Sequence, residues 1–139
     1  MLERILGTLA VALTLAGTAS GQSKPAKSNE PVSSGRPLSE WVEELKAMAP
    51  QTRNAAAYEI AGMGPAAVAA VPALIVALDD PSAAVRYPVI IALLEIGPVA
   101  KAAIPRLQQM EEEEINDEIA AAARRALKRI QAEAPPPPP

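Results

Sequence analysis

Apolar residues recur along this chain at helical spacing. Leu38, Trp41, Val42, Leu45 and Met48 share one face of a helix, with Ser39 placed to cap its start and Pro50 to end it. A second helix is predicted over about 52–61, with Ala56, Ala57 and Ile60 inward and Gly62 and Gly64 as its stop. Pro65 opens a short helical turn. Pro72 suits the first turn of the next segment, whose buried face is Val71, Leu74, Ile75 and Leu78. Asp79-Asp80-Pro81-Ser82 reads as a turn and cap before a fourth helix over about 83–96, which buries Val85, Val89, Ala92, Leu93 and Ile96. A fifth follows at about 99–111 with Ile104 and Leu107. A sixth at about 117–132 buries Ile119, Ala123, Ala126, Leu127 and Ile130. Pro88 falls beyond the first turn of the fourth helix, where a missing amide hydrogen typically costs about 3 kcal/mol, so a kink or late start is expected there.

The pattern also repeats. Gly64-Pro65-Ala66-Ala67 through Val71-Pro72-Ala73-Leu74 returns 33 residues later as Gly97-Pro98-Val99-Ala100 through Ile104-Pro105-Arg106-Leu107. The same shift carries Arg53 onto Arg86, and backwards it sets Leu38, Trp41, Val42 and Leu45 under Val71, Leu74, Ile75 and Leu78. A shift of 34 sets Ile119, Ala126, Leu127 and Ile130 under Val85, Ala92, Leu93 and Ile96. Helical units of this length stack on one another to bury a shared core, so the expected fold is all-α: a solenoid of about three helical hairpins, or six helices, over 37–132.

With Arg53, Ala56-Ala57, Gly64, Ala67, Val71-Pro72-Ala73-Leu74, Leu78-Asp79-Asp80-Pro81 and Val85-Arg86 in register, the chain resembles the short bacterial HEAT repeats, a type also found in phycobilisome-lyase-like proteins. The resemblance covers about 37–131. It implies a structural ladder between neighbouring repeats, in which Asp79 or Asp80 meets Arg53 and Arg86. In the third unit Ala120 replaces the Arg and Glu111 to Glu114 replace the Leu-Asp-Asp turn, so the ladder is expected to stop there. The resemblance also implies that the second helix of each pair lines a concave, partner-facing surface. Asn54, Glu59, Arg86 and Tyr87 are the interface candidates on that surface, Arg86 only where the ladder leaves it free.

The flanks differ in character. Residues 1–21 read as a secretory signal: Arg4 near the start, an uncharged run from Ile5 to Ala19, and small Ala19, Ser20 and Gly21 before Gln22. The run is shorter than the roughly 20 residues a helix needs to span a bilayer, and an uncleaved anchor is the alternative. Thr18 stands where a lipoprotein signal would carry its Cys, so no lipid is expected. Residues 22–36, rich in Ser, Pro and Lys, are expected to form a disordered linker, and 133–139 a Pro-rich tail.

Composition narrows the chemistry. Half of the 139 residues are apolar, yet there is no Phe, which suits helices packed on small side chains. Cys and His are both absent, which removes thiolate nucleophiles, disulfides and the commonest general base and transition-metal ligands. No catalytic residue, metal or cofactor is therefore expected. Glu111 to Glu114 with Asp117 and Glu118 could hold a hard cation, but the alternation and Gly of a calcium loop are missing. Those acids before the last helix, and Arg124, Arg125, Lys128 and Arg129 toward its end, complement the helix dipole instead. The same four basic residues carry no interleaved aromatics, and with a net charge of −3 no nucleic-acid partner is expected. Trp41 shares its repeat position with Leu74 and Leu107, and Tyr58 shares one with Ile91, so both are expected in the core.

These readings converge on a secreted or periplasmic, non-enzymatic scaffold for a protein partner, with a homodimer as a further form. A bilin lyase-like subunit, implied by the resemblance alone, and a simple tether are the alternatives.

Overall fold

The structure is a computed structural model that describes residues 29–132. The signal expected over 1–21, the first part of the expected linker and the tail over 133–139 lie outside the described residues. The chain is mostly helical. A short antiparallel hairpin, β1 (Val32–Ser33) and β2 (Arg36–Pro37), leads into α1 (Leu38–Glu44) and α2 (Pro50–Met63). A 3-10 segment, Gly64–Ala70, then enters α3 (Val71–Ala77), followed by α4 (Ala83–Ile96). A second 3-10 segment, Gly97–Ala103, enters α5 (Ile104–Glu113), and α6 (Asp117–Gln131) completes the described chain.

Several boundaries trace to single residues. Pro50 does not merely end the first helix. It is the first residue of α2, and Ala49 before it is extended at ψ 123° because the proline ring excludes the helical region there. Helix α1 stops at Glu44, and Met48, expected on its buried face, is 98% exposed. Ser39 does not cap α1: Pro37 holds that position, and the Ser39 hydroxyl donates to Glu30 at 2.9 Å. At the other end of α2, Gly64 takes φ 57°, ψ −140°, and Gly97 repeats this at φ 79°, ψ −145° after α4. Only glycine adopts that conformation without strain, which explains why the Gly-Pro pair recurs.

Helix α4 runs unbroken from Ala83 through Pro88 to Ile96, so the late start expected at Pro88 does not occur. The carbonyl that Pro88 leaves without an intrahelical donor belongs to Ala84, and the side-chain amide of Asn54 on α2 donates to it at 2.5 Å. The neighbouring helix thus restores what the proline removed.

In the helical stack α2 packs on α4 and α4 on α6, while α1, α3 and α5 lie against α2, α4 and α6 respectively. One buried cluster runs from Leu38 to Ile130. Small residues let the 3-10 segments approach closely: Ala67 and Ala70 in the first and Ala100 and Ala103 in the second are fully buried.

The linker expected over 22–36 meets the described residues at 29–36, and there the chain is built into the fold. Trp41, buried at 8% exposure, donates its indole N–H to the carbonyl of Ser33 at 3.1 Å, and the Arg36 guanidinium lies 4.2 Å over its ring. Ser33 and Ser34 donate to the Glu59 carboxylate on α2. Local composition is polar and loop-like, but these tertiary partners order the segment. Tyr58, expected in the core, is 49% exposed, on the same solvent stripe of α2 as Ala55 and Gly62.

Candidate interaction surface

The turns joining α1 to α2, α3 to α4 and α5 to α6 are tied together by arginine. Arg53, in the first turns of α2, donates two hydrogen bonds to the Asp80 carboxylate, at 2.6 and 3.0 Å, and two more to the carbonyls of Ala47 and Met48. Arg86 repeats this one unit on: it donates to both carboxylate oxygens of Glu114 at 3.0 Å, and to the carbonyls of Asp80 and Pro81. Each guanidinium therefore closes the turn before its own helix and clamps the carboxylate of the next turn. The two acids are well shielded, at 7% side-chain exposure for Asp80 and 12% for Glu114. Burial pushes the Asp80 carboxyl up, but Arg53 and the Ser82 amide outweigh it and hold its pKa below the ordinary value. Glu114 follows the same rule, with burial outweighed by Arg86 and the Asn116 amide.

Two expectations about this ladder are corrected. Asp79 does not meet Arg53 or Arg86: it faces the other way and accepts from Arg106 of α5 at 2.7 Å. The ladder also does not end before the acidic turn, because Glu114 takes the place of Asp80 in the third unit. The 34-residue shift that aligns α6 with α4 places Glu114 under Asp80, so the signal was present in the spacing. With Ala120 at the next arginine position, no further step follows.

Two further contacts fix this end of the chain locally. Asn116 caps α6, its side-chain oxygen accepting from the amides of Glu118 and Ile119 at 3.0 and 3.2 Å. Glu111 pairs with Arg124 at 2.7 Å. Among the described residues no three carboxylates gather closely enough to hold a metal ion.

Of the four interface candidates, three are occupied. Asn54 serves Ala84, Glu59 accepts from the two serines of the β1–β2 turn, and Arg86 belongs to the ladder. The two hydroxyls hold the Glu59 carboxyl below its ordinary pKa, Ser33 more strongly than Ser34. Tyr87 is the candidate that stays available, half-buried against the core. Sequence reasoning missed its neighbours. Ile91 and Leu94 follow it at helical spacing on α4, both half-buried, and Tyr58 on α2 stands beside the same stripe in repeat register with Ile91. On α6 the residues in register with Ile91 and Leu94 are Arg125 and Lys128, both exposed. The outward face of the second-layer helices is therefore apolar across α2 and α4 and basic at α6.

No curated protein matches the chain. The family model for HEAT repeats matches residues 38–128, the span from the first residue of α1 into the last turn of α6. The match takes in all six helices described above, and the chain belongs to the HEAT repeat family.

Proposed function

We propose that this protein is a non-enzymatic scaffold of the cell envelope, secreted or periplasmic, that binds a protein partner across the outward face of α2, α4 and α6. The three-hairpin solenoid expected from the 33-residue repeat is the frame for this reading, and HEAT repeats often mediate protein interactions. The observation that carries it is the apolar row of exposed Tyr58 and half-buried Tyr87, Ile91 and Leu94, where the candidates beside it are tied up by the fold. Tyrosines of this kind supply contact area at little entropic cost and are enriched at interface hot spots. The basic end at Arg125 and Lys128 favours a partner that is acidic opposite α6. The composition, without Cys or His, offers little for catalysis.

The test is affinity capture from an envelope fraction with the full chain and with a Tyr58→Ala, Tyr87→Ala double variant whose folding is confirmed by circular dichroism. One dominant protein captured by the parent and lost with the double variant supports the face. Equal capture by both removes the face from the reading. A mass for the secreted chain that begins at Gln22 supports export, and a full-length, membrane-retained chain contradicts cleavage.

A further inference from the structure

On the opposite layer, between α1 and α3, an open slot of about 450 Å³ is lined by Val42, Leu45, Lys46, Ala73, Val76 and Ala77, with Asp79 and Asp80 at its end. The internal repeat tells what occupies the same place one unit later. Adding 33 to each number turns Ala73 into Arg106, Val76 into Gln109, Ala77 into Met110 and Lys46 into Asp79. In that second interval Met110 is buried at 2% exposure, and Arg106 reaches back to Asp79 at 2.7 Å. In the first interval both filling side chains are cut back to alanine, and the polar Gln109 position becomes Val76, 75% exposed. The charge at the lip is also inverted. Lys46 stands in place of Asp79 and meets only Glu43, at 3.1 Å, with both side chains about two-thirds or more exposed.

We propose that this slot is a second docking site, filled in trans by a protein segment that carries a long aliphatic side chain next to a carboxylate. The aliphatic group takes the place that Met110 fills in cis, against Val42, Leu45, Val76 and Ala77. The carboxylate meets Lys46, which makes the partner's charge opposite to that of Arg106 in the interval where the pairing is internal. Asp79 and Asp80 do not call for a cation, because Arg106 holds the first and Arg53 with the Ser82 amide holds the second. The slot is independent of the α2–α4 face, so either can fail alone.

The probe is a phage-displayed library of random peptides selected against the full chain. Enriched peptides are expected to share Leu, Ile or Met within a residue or two of Asp or Glu. They should bind Ala77→Met about tenfold or more weakly, the loss expected for an excluded interface anchor. Lys46→Glu should weaken them as well, and Tyr87→Ala should not. Ala77→Met copies the side chain that the next unit already accommodates, so it should melt no lower than the parent. Val76→Gln, at an exposed site, tests the same slot should Ala77→Met fail to fold. Peptides that bind Ala77→Met or Val76→Gln as tightly as the parent, or a selection that yields no shared motif, would overturn the proposal. Self-association of the full chain that disappears in Ala77→Met would also overturn it, by making a second copy the occupant.

Discussion

Asn54 and Pro88 form a functional pair at the scale of single residues. A proline in mid-helix strands the carbonyl four residues back, and here a side-chain amide from the adjacent helix donates to it. Asn54→Ala is expected to cost about 1 kcal/mol, the usual net worth of a hydrogen bond at a partly solvated site. In a Pro88→Ala background the helix regains its own donor, and the same Asn54→Ala change should cost less, with a coupling of about 0.5 kcal/mol or more in urea unfolding. Additive losses would mean that the amide contributes nothing through Ala84. Pro88 could be recognised in the sequence as a local conflict. Its remedy lies 34 residues away on another helix and leaves no local signature. The same separation hid the roles of Glu59 and Arg86. Both look like free charges on an outward helix face, and both are consumed by partners 26 and 28 residues distant.

Among elements, the helix ends carry most of the repeat's identity. Gly64 and Gly97 turn the chain out of α2 and α4 at positive φ, whereas Gly62 lies inside α2 with open space around its α-carbon. Gly64→Ala should therefore destabilise by about 1–3 kcal/mol. Gly62→Ala should be neutral or stabilise by about 0.5–1 kcal/mol through helix propensity and a stiffer unfolded chain. Thermal or urea midpoints of the two variants moving in the same direction would contradict the cap. In the helix interiors, Leu74→Ala and Leu93→Ala each empty a fully buried site and should cost about 2–5 kcal/mol. Losses under about 0.5 kcal/mol at both would remove these residues from the core. Helix α4 was readable to the residue, at 83–96, because its apolar period and its flanking turn and glycine agree. The β1–β2 hairpin was not, because Ser33, Ser34 and Gly35 have no apolar pattern and their order comes from Glu59 and Trp41. Helix α1 closes early in a tighter turn, the amides of Lys46 and Ala47 donating to the carbonyls of Glu43 and Glu44, and Arg53 takes up the Ala47 and Met48 carbonyls beyond it.

For the whole molecule, the arginine ladder joins successive units over a continuous core, so loss of one rung is felt along the stack. Asp80 and Glu114, which fasten it, and Glu59, which holds the β1–β2 turn, all have pKa values below those of the unfolded chain. In acid the unfolded chain therefore binds more protons than the folded one, and stability rises with pH across that range. The contribution is complete above the ordinary carboxylate values near about pH 4 and is lost as pH falls through the lower folded values. Urea midpoints should be flat from about pH 7 to about pH 5 and should then fall steadily toward about pH 3. Replacing Asp80→Asn and Glu114→Gln together should lower the midpoint at neutral pH, because Arg53 and Arg86 lose their charged partners. The same double variant should flatten the acid limb and leave only the part owed to Glu59 and the two serines. An acid limb of unchanged slope in a folded double variant would show that the ladder is geometric rather than electrostatic. The repeats would then be held in register by their buried alanines and leucines alone.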